Sequence, residues 1–487
     1  MAAPLPPKRR IAIIGAGPAG AIATDALVKE EAFDTVRVFD RRDRAGGTWV
    51  LARDDAPGIP SVAELLSGNA DLPLEVPQTF PIDTPLSENV NSLRLRYADA
   101  AAHEHLHSNL PPDIMAFSQE PIPEVISEFT KNQYGDESPF RHREVIRQWV
   151  EDVFIRGGHS DLVEFNTTVE LAEKRGDEWV LTLRRAVPGG KKNEWWQETF
   201  DALVVASGHY HLPWIPDIPG LAAYEARFPG RIQHTKHYLT AEDYRNKRVV
   251  VVGGSISAFD AIHDLRLAAK KPVISSVRGT SAIFGNTPFL HPHIDNRPQI
   301  ASVNAETGRI TFVDGSWADD VDVLLFATGY DFSFSFLPDI KSVNKRIPGL
   351  YQHVFLARDP SIAFLGMCTG SFGLRIFEWQ AVAAARVFAG RGKLPSRREM
   401  EIWEEKRVAD KGDSPAFWTL LPDFEVHFEA LRAIAGVPAP GATGRVLPAY
   451  DPAWAEKFWN LIKFRKEWWE KEAREARAKA VSFRGSL

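Results

Sequence analysis

Three features of the sequence predict an α/β chain made of two Rossmann-like dinucleotide-binding units, the second inserted in the first. A Gly-x-Gly-x-x-Gly turn at 15–20 joins a strand to a helix near the start. A second strand–turn–helix of the same plan runs through 247–265. Two further runs, "DALVVASGHY" (201–210) and "DVLLFATGY" (322–330), share one form: an acid, an apolar strand, then a small residue and glycine. A chain of 487 residues is long enough for two or three such domains.

In the first unit, "RIAIIGAGPAG" is a strand that ends in the glycine turn, "AIATDALVKE" continues as a helix, and "TVRVFD" is a second strand closing on Asp40. Gly15 allows the tight turn, Gly17 lets the backbone approach a pyrophosphate, and Gly20 lets the helix pack closely. The helix N-terminus offers free N–H groups to the anion, and Asp40 can accept hydrogen bonds from a ribose. Strand, helix and distant acid together supply the context that a bare glycine motif lacks. "DRAGGTW" follows, with Gly47 and Trp49 marking a second backbone approach to an extended ligand. A nicotinamide dinucleotide alone does not need this segment, whereas a dinucleotide with a tricyclic ring does, so FAD is expected here.

The second unit, "KRVVVVGGSISAFDAIHDL", places Gly253, Ser255 and Ala258 at the three glycine positions. The strand after it, "PVISSVRG", carries Ser275, Ser276 and Arg278 where the first unit carried an acid. An acid would repel a 2′-phosphate, whereas serine and arginine bind one, so NADP is expected over NAD. Gly208 and the pair Thr328 and Gly329 end the two acid-led strands, where a small residue permits backbone contact with a ligand. "HLPWIPDIPG", with Pro213, Pro216 and Pro219, is a stiff linker after the first of them. The expected domains are therefore 1–213 with 325–487 for FAD, and 214–324 for NADP.

Composition narrows the function. Hydrophobic residues are 44% and charged residues 25%, which are globular values. With 58 basic and 64 acidic residues the net charge is −6, which gives no reason to expect nucleic acid as a partner. The single cysteine, Cys368, rules out an intramolecular disulfide and a Cys-x-x-Cys redox pair, and with them the dithiol flavin reductases. It also fits a reducing compartment, and a cytoplasmic location is expected. The opening run has the basic start and apolar stretch of a leader, but Gly15, Gly17, Pro18 and Gly20 break it in the order the phosphate turn requires. No apolar stretch approaches the roughly 20 residues of a membrane span.

Taken together these motifs resemble the flavin-containing monooxygenases, the class B flavoprotein monooxygenases. Phe228-x-Gly230-x-x-x-His234-x-x-x-Tyr238 is similar to that family's fingerprint and lies just before the second glycine turn. "FATGY" (326–330), "HSNLPPDIMAF" with Asn109, and "FEWQAVAAARVFAGRGKLPS" (377–396) are similar to further family segments. The resemblance covers roughly residues 10–435; Ser255, Ala258 and an extension after about 450 depart from it. It implies an NADPH- and FAD-dependent monooxygenase that acts through a flavin hydroperoxide on a small nucleophilic substrate. Oxidised NADP would stay bound to shield the flavin, and Asn109 would orient the cofactor pair by its amide. The ketone-oxidising relatives, the Baeyer–Villiger enzymes, usually carry Trp where this chain has Tyr238, so sulfur or nitrogen oxygenation is expected. Ketone oxidation and a non-catalytic nucleotide sensor stay as alternatives. His234 and Tyr238, four apart, would share a face if helical, in a mainly positional element.

Other groupings read as structural. His103, His105 and His107 would share a face of a half-exposed strand, and no metal site is expected. Val145, Ile146, Trp149, Val150 and Val153 have the spacing of a core helix face. The C-terminal run 458–480 is amphipathic, and its four acids favour a solvated or packed helix over a membrane-surface one.

Overall fold

The computed structural model describes residues 6–51, 59–85, 101–186 and 191–485; residues 1–5 of the run weighed as a leader lie outside them. The first strand, β1 (Arg10–Ile14), buries Ile11, Ala12, Ile13 and Ile14, as a strand covered on both faces must. Helix α1 (Pro18–Lys29) starts on Pro18, whose fixed φ and missing N–H suit the first turn. Strand β2 (Thr35–Phe39) returns parallel to β1. Helix α2 (Arg143–Arg156) buries Ile146, Trp149, Val150 and Val153, the face expected from their spacing. Strands β3 (Val163–Glu164) and β4 (Ala202–Val205) add to the same sheet. Between them a meander of Thr167–Arg175, Glu178–Ala186 and Lys192–Phe200 builds a separate antiparallel sheet.

The second unit holds β5 (Ile232–His234), β6 (Val249–Val252), helix α3 (Ile256–Ala268), β7 (Val273–Ser276), β8 (Ile294–Arg297) and β9 (Val323–Phe326). All five strands are parallel, in the order β5-β9-β6-β7-β8. The chain then completes the first sheet with β10 (Leu350–Tyr351), β11 (Phe355–Leu356) and β12 (Ile362–Phe364). That sheet runs β10-β11-β12-β4-β1-β2-β3. Helices α4 (Arg375–Phe388), α5 (Phe424–Ala435) and α6 (Pro452–Gly485) close the chain. Small buried residues on α1 and α4, among them Ala19, Ala23, Ala381 and Ala384, let these helices lie close together.

Two expectations change. The boundary drawn at 324 cuts through β9, which lies between β5 and β6 and is buried on both faces. The chain returns a few residues later, where Tyr330–Asp331 pairs antiparallel with Leu212–Pro213 of the outgoing linker. Residues 103–107 are turn and loop, not a strand, because Glu104 N–H and Leu106 N–H close onto Leu239 and His103 carbonyls. The His107 backbone forms an isolated bridge to His142. Among the described residues no group of three metal-ligating side chains forms, and no helix is long and apolar enough to cross a membrane.

Candidate active site

The first cradle is held by contacts that leave no room for β-carbons. One added to Gly15 would meet the Ala206 carbonyl oxygen at 2.6 Å, and one on Gly20 would meet the Gly15 oxygen at 1.8 Å. Gly15 has φ +109°, a region that glycine enters at little cost. No side chain caps the N-terminus of α1 at Gly17, so its backbone N–H groups stay available to an anion. Asp40 is buried at the end of β2; its carboxylate accepts Ala16 N–H at 2.6 Å and Arg42 N–H at 2.7 Å. It thus shapes the cradle, with further lone pairs left for a ribose.

Gly47 packs directly on Gly17, which brings the "GGTW" segment against the cradle. Trp49 is buried and its indole Nε1 has no partner. Ser207 Oγ, beyond β4, and Ser371 Oγ, in the loop before α4, are likewise buried without partners. Gly208 has φ +73° and open space where a β-carbon would stand. Ser207 touches Gly15 and Trp49 follows the Gly17–Gly47 contact, so these two orphaned donors lie at the cradle, where a large polar ligand such as FAD would satisfy them. These residues are the ones that would hold it.

In the second unit a β-carbon on Gly253 would meet the Ala327 oxygen at 2.3 Å, so glycine is required at that turn. Ala258 is buried beside it, and Gly254 and Ser255 are exposed at the uncapped start of α3. That surface is open to a second pyrophosphate. Arg278 is exposed beyond β7. Ser276 is not: its hydroxyl donates to the Pro298 carbonyl at 3.0 Å, so of these two residues only Arg278 faces solvent.

Lys345 is a further basic residue that no sequence signal marked, held between Trp214 and Asp331. Its ammonium lies 4.1 Å from the Trp214 ring centroid and 3.8 Å from Asp331. Burial lowers its pKa from 10.5, Asp331 opposes this, and the nearby Arg278 charge adds to it.

The fingerprint is a hinge rather than a helix. Gly230 turns the chain at φ +81°, and Phe228 packs between Tyr224 and the Arg231 guanidinium. His234 ends β5, so the expected shared helical face does not form. The Lys236 N–H donates to His234 Nδ1 at 3.0 Å, which leaves Nε2 to donate to the Gly329 carbonyl at 3.0 Å. Burial lowers the ring's pKa to about 3. Both ring nitrogens of His234 are thus engaged by backbone groups. The Thr328 hydroxyl donates to the Trp214 carbonyl, so this hinge ties both crossing strands together. Tyr238 points the other way and donates to Asp264 on α3.

Asn109 is exposed between two buried neighbours, Ser108 and Leu110. Ser108 exchanges backbone and hydroxyl hydrogen bonds with Arg141 at 2.7 and 2.9 Å. Leu110 and Met115 press on Gly373. Arg375, first residue of α4, donates to the Asp113 and Ile114 carbonyls at 2.6 and 2.9 Å. At its other end the segment meets the second unit, where His103 packs edge-on to Tyr238 at 5.6 Å. The Asn109 amide is thus presented from a rigid strap that touches both units.

Behind the first cradle lies an ion network that local sequence does not reveal. Arg445 is fully buried and pairs with Asp25 of α1 and with Glu378 of α4 at 2.8 Å. Although burial opposes it, the His159 hydrogen bond and the Arg445 charge hold the Asp25 carboxyl well below its ordinary range. Removing one member of such a buried set typically costs about 3–5 kcal/mol.

The sequence pattern described as flavin-binding monooxygenase-like matches residues 94–287 and 288–416. An NAD(P)-binding Rossmann-like domain pattern matches residues 13–68. The flavin-containing monooxygenase ustF2 of Aspergillus flavus is 25% identical over 500 residues, covering 93% of this chain and 96% of that protein. Flavin-containing monooxygenase FMO GS-OX-like 9 of Arabidopsis thaliana is 29% identical over 406 residues, covering 80% and 78%. Among solved structures, S-allyl-L-cysteine S-oxygenase from Allium sativum shares the fold with a TM-score of 0.73, 24% identity, and coverage of 97% and 99%. A cyclohexanone monooxygenase shares it at 0.54, 16% identity, and coverage of 88% and 97%.

Proposed function

The chain belongs to the flavin-binding monooxygenase-like family and is an NADPH-dependent flavin monooxygenase using FAD and NADP; we propose that it oxygenates soft nucleophiles, a thioether sulfur or an amine nitrogen. One observation supports the reading of the site: the exposed Asn109 amide sits on a strap that touches both units, at Gly373 of the first and at Tyr238 of the second. When bound, FAD supplies the oxygen chemistry and NADPH the hydride. One atom of O2 goes to the substrate and the other leaves as water, with electrons from NADPH.

The residues of the chain then bind, orient and exclude water. Gly15, Gly17 and Gly20 would hold the FAD pyrophosphate, Asp40 its ribose, and Gly47, Trp49 and Gly208 the extended remainder. Gly253 and Ser255 would hold the NADP pyrophosphate, with Arg278 and Lys345 around its 2′-phosphate. The Asn109 amide can donate to one cofactor and accept from the other. A nucleophilic substrate needs no activated side chain, which accords with a neutral, committed His234. One protein of similar fold is named as a sulfur oxygenase, S-allyl-L-cysteine S-oxygenase, which is in keeping with this substrate class.

The test is a panel of a thioether, a tertiary amine and a cyclic ketone supplied with NADPH, with products identified by mass spectrometry. Sulfoxide or N-oxide is expected. Lactone without sulfoxide would replace this reading with ketone oxidation.

A further inference from the structure

The C-terminal helix α6 lies outside the matched family pattern, which stops at residue 416, yet it is built into both units. Its buried face runs Phe458, Leu461, Arg465, Trp469 and Ala473, a spacing of three and four that keeps them on one stripe. Phe458 and Leu461 belong to the core of the FAD unit. Trp469, about 16 Å further along the axis from Phe458, belongs to the core around α3 of the NADP unit. Ile462 touches both cores.

Polar contacts repeat the pattern. Lys457 pairs with Asp113, in the turn that follows the Asn109 strap. Arg465 pairs with Asp260 of α3 at 2.7 Å and lies over the rings of Phe140, Phe284 and Trp469. Glu472 pairs with Arg266 of α3, and Arg477 donates to the Leu290 carbonyl at 2.7 Å. Helix α3 is the one whose N-terminus forms the second cradle. Its other attachment to the strap is Tyr238–Asp264 with His103. The helix therefore grips α3 on one side while it is seated in the FAD unit on the other.

We propose that α6 is an interdomain brace that sets the position of the NADP cradle over the FAD unit, with Arg465 and Trp469 as positioning residues. This rests on the assignment of Gly253–Ala258 to NADP. A loosened brace leaves the FAD cradle intact and lets the second cradle wander, so NADP+ is held more weakly and electrons are lost to peroxide.

The test compares the full-length wild type with R465E, D260R and the R465E/D260R pair. FAD occupancy is read from the visible spectrum, NADP+ affinity by calorimetry, and backbone protection by hydrogen exchange. Expected in R465E are unchanged FAD occupancy, NADP+ binding weakened about fivefold or more, and faster exchange in Ile256–Ala268 but not in Pro18–Lys29. The reversed pair should recover a large part of the NADP+ affinity. Wild-type NADP+ affinity in R465E, or parallel loss of FAD and NADP+, would overturn the brace. A wild type that does not bind NADP+ at all would instead overturn the cradle assignment beneath it.

Discussion

A β-carbon on Gly17 would stand 3.3 Å from the Cα of Gly47, and one on Gly47 would stand 2.8 Å from the Cα of Gly17. The two glycines are back to back, so the cradle and the "GGTW" turn are a single piece of backbone. Gly17→Val would force them apart. The variant should keep its far-ultraviolet circular dichroism and lose most of its flavin absorbance. Full FAD occupancy in that variant would remove the first cradle from the flavin site.

With Arg278 and Lys345 assigned to the 2′-phosphate, removal of either cation should erode the preference for NADPH over NADH. A charge-assisted contact contributes roughly 1.5–3 kcal/mol, or about one to two decades in affinity. Steady-state KM for both nucleotides measures this in Arg278→Ala and Lys345→Ala. Equal use of NADH by the wild type would leave Arg278 an ordinary surface charge.

Asn109→Ala should separate NADPH consumption from product formation. Both glycine cradles lie elsewhere, so FAD and NADP should still bind. Without the amide the cofactor pair is less well ordered and water gains access. NADPH, product and hydrogen peroxide measured in one vial should show more peroxide for each NADPH. A wild-type ratio of product to NADPH would reduce Asn109 to a turn residue.

The fold should weaken in mild acid. Burial holds His107, His234 and His427 at about 3 and His209 at about 4, against 6.5 for a free ring. Above pH 6.5 these rings are neutral in both states. Below it the unfolded chain binds protons that the folded chain refuses, so stability falls with pH down to the folded values. Each ring contributes up to about 1.4 kcal/mol per pH unit in that window. Tm should fall steadily from about pH 6.5 to about pH 4. A flat Tm across that range would contradict the buried, neutral assignment.

Local constraints were legible in the sequence. Gly15 and Gly253 are demanded by contacts with a neighbouring strand's backbone and Gly20 by contact with the Gly15 carbonyl, and such demands leave glycine or very small residues behind. What was not legible depends on partners distant in the chain. A strand like β9, buried on both faces, reads the same in either sheet. The four-residue spacing of His234 and Tyr238 suits a helix, but the hydrogen bond from Lys236 to His234 makes a tighter turn. Lys345 sits in a loop, and only folding carries it to Trp214 and Asp331. The stripe on α6 shows that the helix packs, but not that it packs on two units.

The most direct measurement follows the oxygen atom. The purified protein is given NADPH, a thioether and isotopically heavy O2, and the product is weighed by mass spectrometry. A sulfoxide that carries the label is expected, formed in step with NADPH oxidation. NADPH oxidation that yields no labelled sulfoxide or N-oxide, with labelled lactone from a ketone in its place, would contradict it.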